Sequence, residues 1–326
     1  MIGRGLELAG RGTGRVAATA AALVRVPATM LVGDGATDPD VGRLGPVGFD
    51  EARHLTAPDG GNLFTVSRGT GPTLVLVHGM VMTSRVWTKQ FRSLAHAGVT
   101  TVSFDHRGHG GSTPPTDAFT VEEAARDLVA VVDGLDLHDC VVVAHSTGAL
   151  AAGVAAGNGG LGDRVRGLVL VGPTTRFVGV PGSRAVLVPF VRGFVESGAW
   201  SRFEWSRTAA RMLFGRSPLR SQVELVRVLL ASARPETVVA AAEVAAGFDL
   251  SEVVGRIHLP TLVVNGTADL LATPGDARRL VRELPDARLE LVQGAGHMVM
   301  LERAEELGAL VLGFARELGV APGLAA

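Results

Sequence analysis

One serine of this chain stands at the junction between a strand-like run and a helix-like run. Val141-Val142-Val143 is followed by Ala144-His145-Ser146-Thr147-Gly148, and then by the helix formers of residues 149–152. A small residue two positions before a serine and another two positions after it are typical of a nucleophile elbow, because bulky neighbours would clash in so tight a turn. The helix that follows directs free N–H groups and its positive dipole end at a developing oxyanion. We therefore predict that Ser146 is a catalytic nucleophile.

A serine at its ordinary pKa is a weak nucleophile and needs a base. The last strand-like run is followed by Gly294-Ala295-Gly296-His297-Met298, so we expect His297 on a loop at the C-terminal end of a strand. Asp269 comes shortly after the run Thr261–Val264, and residues 172–174, which follow the preceding run, contain no Asp or Glu. An aspartate in a glycine-bearing turn often only caps that turn. Its place in the chain nevertheless predicts that Asp269 orients His297.

Strand-like and helix-like stretches alternate over most of the chain. The β-branched runs are Thr73–Val77, Val99–Phe104, Val141–Ala144, Leu168–Val171, Thr261–Val264 and Leu289–Val292. Continuous apolar runs suit parallel strands that are covered on both faces of a sheet. Residues 121–129 have helical periodicity, and Thr120 is placed to cap that helix. The alternation predicts a doubly wound α/β fold.

Three further motifs accompany the order Ser146, Asp269, His297. They are His78-Gly79-Met80, Asp105-His106-Arg107-Gly108-His109-Gly110-Gly111-Ser112, and His297-Met298-Val299-Met300-Leu301-Glu302-Arg303. With them, the chain from about Glu51 to Leu318 resembles the lid-bearing α/β-hydrolases of the esterase, lipase and cofactor-free haloperoxidase-like kind. The resemblance implies a mostly parallel eight-stranded sheet flanked by helices, an inserted helical cap, and no metal or organic cofactor. A serine at the nucleophile position argues against haloalkane dehalogenase and epoxide hydrolase chemistry, which use aspartate there.

The resemblance also assigns roles around the serine. It implies that the backbone N–H groups of Met80 and Thr147 form an oxyanion hole, in which side chains are secondary. His78 and Arg107 are expected to shape their loops rather than to transfer protons. The same structural role is expected for His109 and His145, which occupy the variable positions of their motifs.

The stretch between Leu168–Val171 and Thr261–Val264 contains no convincing strand. Its pattern predicts helices that include Ser201–Phe214, Pro218–Ala231 and Pro235–Phe248. It holds two of the three tryptophans and half of the twelve phenylalanines. Helix packing explains most of these aromatic residues, and some are also expected to line an apolar pocket. The candidate pocket residues are Val81, Trp200 and Phe203.

The chain is accordingly expected to have three parts. Residues 1–48 form an N-terminal arm and linker, residues 49–173 and 258–326 form the hydrolase core, and residues 174–257 form the cap. Residues 16–32 are apolar but are interrupted by Arg25 and Pro27. That pattern fits an amphipathic helix better than a membrane span or a signal peptide, so we expect a cytoplasmic protein. The helix could pack on the body, on another subunit or on a membrane surface.

Composition excludes several classes of protein. Lys+Arg 31 against Asp+Glu 32 gives a net charge of −1, so no strong field recruits nucleic acid. The single cysteine, Cys140, excludes an intramolecular disulfide and a cysteine-rich zinc module. No metal site is expected.

The predicted function is hydrolysis of small carboxyl esters that have apolar acyl or alcohol groups. A lactone, or a carbon–carbon bond beside a ketone, stays open as a substrate because the same triad serves all of these reactions. A receptor that binds its ligand in a hydrolase shell is an alternative from another class. A lipase anchored to a membrane by the N-terminal arm is a further alternative.

Overall fold

The computed structural model describes residues 38–321, apart from residues 41, 43, 46–47, 117–118, 174–182 and 201. One sheet of eight strands runs through the described residues in the order β1-β2-β4-β3-β5-β6-β7-β8. The strands are β1 (Glu51–Thr56), β2 (Asn62–Arg68), β3 (Thr73–Val77), β4 (Thr100–Phe104), β5 (Cys140–His145), β6 (Val165–Val171), β7 (Thr261–Gly266) and β8 (Ala287–Val292). Strand β2 is antiparallel to both β1 and β4, and the remaining pairs are parallel. The predicted fold class, a mostly parallel eight-stranded sheet flanked by helices, is confirmed.

Helices fill the connections between the strands from β3 onward and follow β8. They are α1 (Thr88–His96), α2 (Val121–Gly134), α3 (Thr147–Gly157), α4 (Ser183–Glu196), α5 (Phe203–Met212), α6 (Arg220–Ser232), α7 (Pro235–Ala245), α8 (Ser251–Val254), α9 (Pro274–Glu283), α10 (Val299–Glu302) and α11 (Ala304–Glu317). Thr120 caps α2 as predicted, because its side chain accepts a hydrogen bond from the Glu123 N–H.

The central strands are buried on both faces of the sheet, which explains their continuous apolar runs. Successive residues of β3 point to opposite sides: Leu74 and Leu76 join one hydrophobic cluster, and Val75 and Val77 join the other. All six strand-like runs of the sequence form strands. The runs did not include β1 and β2. Strand β1 is half-exposed or exposed along its whole length at the edge of the sheet, so it lacks an apolar run.

Among the described residues between β6 and β7 lie five helices, α4 to α8. Three of them match the predicted helices, with ends that differ by up to about three residues, which is ordinary for helix ends. The division into core and cap at residues 173 and 258 stays a prediction, and residues 174–182 lie outside the described part of the chain.

The segment just before the sheet contacts the helices between β6 and β7. The Asp38 carboxylate accepts a hydrogen bond from the Ser221 N–H at the start of α6, 2.8 Å away. The Asp40 carboxylate is buried and binds both the Lys89 ammonium and the Gln222 amide. These contacts attach part of the predicted linker to the body.

The predicted N-terminal helix lies outside the described residues. Within the part of the chain that the structure describes, no helix combines the length and the apolar character that crossing a bilayer requires.

Candidate active site

Ser146 occupies a sharp turn between β5 and α3. Its backbone has φ 52° and ψ −119°, a conformation that L-residues rarely adopt. The N–H of Ser146 donates to the carbonyl oxygen of Val171 at the end of β6, at 2.9 Å, which ties the turn to the neighbouring strand. A Cβ atom on Gly148 would lie only 2.5 Å from the carbonyl oxygen of His78. Glycine is therefore required two residues after the serine because α3 begins directly against the end of β3.

His297 and Asp269 form a buried hydrogen-bonded pair beside this turn. The His297 Nδ1 lies 2.8 Å from the Asp269 Oδ2. The other carboxylate oxygen, Oδ1, accepts hydrogen bonds from the N–H groups of Leu271 and Ala272, at 2.9 and 3.0 Å. An ionised Asp269 in this arrangement keeps the imidazole proton on Nδ1 and leaves the Nε2 lone pair free to accept a proton.

Two contacts bring the serine turn and the histidine together. The His145 imidazole, one residue before the serine, lies 4.6 Å from the His297 ring between centroids. Its Nε2 lies 3.0 Å from the His297 carbonyl oxygen and donates to it. Gly172 directly follows Val171, which binds the Ser146 N–H. It lies so close to His297 that a Cβ atom at Gly172 would be 3.1 Å from the His297 Nδ1. These contacts place the serine turn next to the His297–Asp269 pair, and the catalytic triad stays a prediction.

The loop after β3 lies against the same turn. A Cβ atom on Gly79 would be 3.0 Å from the Ser146 Cβ and 2.9 Å from the His145 Nδ1. In the described chain, no group accepts a hydrogen bond from the main-chain N–H of Met80 or of Thr147. Thr147 is the first residue of α3, where helical N–H groups have no partner within the helix. These two N–H groups are therefore available for an anionic ligand atom.

His109 holds this loop in place, a contact that the sequence did not reveal. The N–H of Val81 donates to the His109 Nε2 at 3.0 Å, and the His109 Nδ1 donates to the Arg107 carbonyl oxygen, also at 3.0 Å. Val81 has a φ of 54°, which is a strained conformation for a β-branched residue. The hydrogen bond that Val81 donates to His109 stabilises this strained residue, which directly follows Met80.

Four buried histidines surround the loop and the turn: His78, His106, His109 and His145. Burial lowers the pKa of His106 to about 3 and that of His109 to about 4. Burial also lowers the pKa of His78 and His145 well below the ordinary value, and neighbouring histidines lower it further. All four are neutral at neutral pH, so each ring can accept one hydrogen bond and donate another.

Side chains of the motif at residues 105–112 hold the loop that it forms in place. The Asp105 carboxylate accepts hydrogen bonds from the N–H groups of Ser84 and Gly111, at 2.8 and 3.0 Å. The Arg107 guanidinium binds the buried Asp127 carboxylate and the Asp59 carboxylate. These contacts accord with the structural role expected for Arg107.

The loop that carries His297 is held by residues that lie far from it in the sequence. The N–H of His297 donates to the carbonyl oxygen of Leu213, which follows α5, at 2.8 Å. The Glu302 carboxylate accepts hydrogen bonds from the N–H groups of Gly296 and Gly215, both at 2.8 Å. Glu302 therefore bridges the His297 loop and the segment after α5. The sequence motif contained Glu302 but gave no sign of this partner.

The candidate pocket residues are only partly placed. Val81 and Trp200 are both half-buried against the hydrophobic cluster on one face of the sheet. The Trp200 Nε1 donates to the Leu230 carbonyl oxygen at 2.9 Å. The side chain of Phe203 lies outside the described part of the structure. Among the described residues, no group of three or more His, Cys, Asp or Glu side chains could hold a metal ion.

The fold and the strand–serine–helix turn define the class of protein. Residues 74–310 match the alpha/beta hydrolase family, which is well over half of the chain, and the chain belongs to that family. It is 28% identical over 260 residues to a non-heme chloroperoxidase from Kitasatospora aureofaciens, covering 76% of this chain and 92% of that protein. It is 27% identical over 265 residues to a pimeloyl-[acyl-carrier protein] methyl ester esterase from Nitrosospira multiformis, covering 78% and 98%. The structure of an esterase from Exiguobacterium antarcticum matches with a TM-score of 0.75 at 20% identity, covering 82% of this chain and 100% of that one.

Proposed function

We propose that this protein is a serine hydrolase that cleaves carboxyl esters with apolar acyl or alcohol groups. The observation that carries the proposal is the strained Ser146 turn beside the buried His297–Asp269 pair. A hydrolase of this family needs a nucleophile, a base and an orienting acid, and these three side chains have the chemistry for those roles. The esterase from Nitrosospira multiformis among the relatives supports the choice of an ester substrate.

In the proposed mechanism, the Nε2 of His297 accepts the Ser146 hydroxyl proton while the serine oxygen attacks the ester carbonyl carbon. The carbonyl oxygen becomes an oxyanion, which the N–H groups of Met80 and Thr147 stabilise. Asp269 keeps the imidazole in the tautomer that accepts this proton and stabilises the imidazolium that forms.

The tetrahedral intermediate then breaks down. The bond to the alcohol oxygen cleaves, and the leaving alcohol takes the proton from the imidazolium of His297. Water, activated by the same imidazole, attacks the acyl-enzyme and releases the carboxylic acid and free Ser146. Atoms and charge balance without a metal or an organic cofactor.

The test is labelling by a fluorophosphonate, which reacts only with an activated serine, together with the turnover of p-nitrophenyl esters. The wild-type chain should be labelled at Ser146, and Ser146→Ala should lose labelling and several orders of magnitude of turnover. Far-ultraviolet circular dichroism should be the same for both chains. Retention of more than about a tenth of the wild-type turnover by the purified Ser146→Ala variant would remove Ser146 from its role. Labelling without any ester turnover would favour a lactone or carbon–carbon substrate, and no labelling would favour a ligand receptor.

A second candidate activity is halide oxidation, favoured by the non-heme chloroperoxidase from Kitasatospora aureofaciens among the relatives. Hydrogen peroxide would replace water at the acyl-enzyme and release a peracid and free Ser146. The peracid would transfer its terminal hydroxyl oxygen to bromide, giving hypobromous acid and the carboxylate. Bromination of an added phenol in acetate buffer with peroxide, by the wild-type chain and not by Ser146→Ala, tests this activity.

A further inference from the structure

Large apolar side chains are exposed at two places in the described part of the chain. These exposed residues are Phe190, Trp205, Met212, Leu270 and Leu271. Three of them lie on α4 and α5, and the other two follow Asp269 directly. Trp205 is 56% exposed and Met212 is 60% exposed, although each would be stabilised by burial. Exposed apolar side chains that are concentrated on two neighbouring helices indicate an interaction surface.

The side chains of α5 fall into three stripes. Ser206 and Ala210 are buried against the protein. Trp205 and Met212 are seven residues apart, which places them on one side of the helix, two turns from each other. At about 100° per residue, the exposed Arg207 and Arg211 occupy a third side, away from both the buried stripe and the apolar stripe. Position 204, a glutamate, falls on the same third side, so the helix presents an apolar stripe beside a side that carries two arginines and one glutamate.

Helix α4 extends the apolar stripe. The Phe190 ring stacks on the Phe194 ring at 6.5 Å between centroids, and the Phe194 ring meets the Trp205 ring edge-on at 5.3 Å. Phe190 is 69% exposed. We call the surface formed by Phe190, Phe194, Trp205 and Met212 the α4–α5 face.

The segment that carries this face is strongly basic, in contrast to the whole chain. Residues 183–220 contain seven arginines and two glutamates, whereas the net charge of the chain is −1. The exposed arginines of this segment are Arg192, Arg202, Arg207, Arg211, Arg216 and Arg220. Exposed aromatic side chains bordered by arginines are the pattern that proteins use to bind anionic lipid surfaces. The aromatic rings enter the interface, and the arginines bind the headgroups.

Charge also argues against two other occupants of the face. In a symmetric dimer formed through this face, each basic segment would meet a second copy of itself and be repelled. The N-terminal arm, residues 1–37, contains four arginines, one glutamate and one aspartate, so its net charge has the same sign as the face. An anionic lipid surface has the opposite sign.

We propose that the α4–α5 face binds anionic lipid surfaces, with Phe190 and Trp205 inserted among the headgroups. The face lies close to the candidate active site. Met212 precedes Leu213, whose carbonyl oxygen accepts the His297 N–H, and the exposed Leu270 follows Asp269. Binding would hold the site at the membrane, where apolar molecules are concentrated. The proposal does not require that the site hydrolyses esters.

The test measures binding of the full chain to sedimented vesicles of phosphatidylglycerol and phosphatidylcholine, compared with phosphatidylcholine alone. We expect at least tenfold stronger partitioning to the anionic vesicles, decreasing at high salt. Tryptophan emission should shift to shorter wavelength on binding. Trp87 is buried, Trp200 is half-buried against Phe194 of the face, and residues 1–37 contain no tryptophan, so this shift would report on the face and not on the arm.

Two double variants test the contributions of the aromatic side chains and of the arginines separately. Phe190→Ser with Trp205→Ser should weaken partitioning at least tenfold. Arg192→Gln with Arg207→Gln should weaken it at least fivefold, since each arginine near an anionic surface contributes about fivefold. Arg126→Gln with Arg278→Gln removes the same charge elsewhere on the surface and should leave partitioning within about twofold of wild type.

Three outcomes would overturn the proposal. They are no preference for anionic vesicles, partitioning that is unchanged in the Phe190 and Trp205 double variant, and binding without a shift of tryptophan emission. The last two would assign any binding to the arm or to another surface. Far-ultraviolet circular dichroism shows whether each variant is folded. Turnover of a soluble p-nitrophenyl ester, measured without vesicles, shows separately whether the proposed hydrolase activity holds.

Discussion

A methyl group added at Gly172 should disturb the His297–Asp269 pair. Gly172 has a φ of +56°, and a Cβ atom there would lie 3.1 Å from the His297 Nδ1 and 3.4 Å from the Asp269 Oδ2. The first distance is tighter than ordinary van der Waals contact, so the imidazole must move by a few tenths of an ångström. It would have to move against the 2.8 Å hydrogen bond that orients it.

The matched control is Gly159→Ala. Gly159 has a φ of +73°, and a Cβ atom there would meet nothing within 4 Å. Each substitution forces an alanine into the left-handed region, at a cost of about 1–2 kcal/mol in the free energy of unfolding. Urea unfolding should therefore show a similar loss of stability for both variants. Only Gly172→Ala adds the contact with His297.

The expected effect on catalysis follows from the geometry. A hydrogen bond to a charged group contributes about 1.5–3 kcal/mol, so halving the strength of the Nδ1–Oδ2 bond costs roughly 1 kcal/mol. Misplacement of a catalytic group by about 1 Å can cost a hundredfold in rate. We expect kcat/KM for p-nitrophenyl butyrate to fall at least tenfold in Gly172→Ala and less than twofold in Gly159→Ala. A Gly172→Ala chain that is folded and within about threefold of Gly159→Ala in kcat/KM would refute the reasoning.

Three further predictions concern the acid, the buried histidines and the substrate. Asp269→Asn favours the wrong tautomer of His297, so turnover of p-nitrophenyl esters should fall at least about a hundredfold; near-wild-type turnover would mean that another carboxylate orients the histidine. Because the pKa of folded His109 is about 4 and that of an unfolded histidine is about 6.5, the unfolded state binds about one more proton at pH 5. The free energy of unfolding, measured with urea, should therefore decrease from pH 6.5 to pH 5 by about 2 kcal/mol less in His109→Gln than in wild type; equal decreases would contradict the lowered pKa. Each buried methylene contributes about 0.8 kcal/mol, so kcat/KM should rise from acetate to medium-chain esters, and Trp200→Ala should move the optimum; a flat profile in both chains would show that Trp200 only packs the helices.

Several features of the site could be predicted because they depend on local sterics. The turn at Ser146 requires small neighbours wherever it occurs, so Ala144 and Gly148 indicate it without any knowledge of the rest of the fold. The central strands are apolar on both faces, so their runs predict them directly, whereas the edge strand β1 is exposed and left no such signal. Asp269 and His297 could be predicted because parallel strands place the residues that follow them at one edge of the sheet.

Other contacts were decided only by the tertiary structure. His109 supports Val81, and Glu302 joins Gly296 to Gly215, through hydrogen bonds between segments far apart in the chain. Histidine and glutamate side chains have many possible partners, and only the approach of two loops in space selects one. The exposure of Trp205 was likewise decided only by the tertiary structure. A tryptophan on an amphipathic helix can face the core or the solvent, and the packing of α5 against the protein through Ser206 and Ala210 leaves Trp205 on the surface.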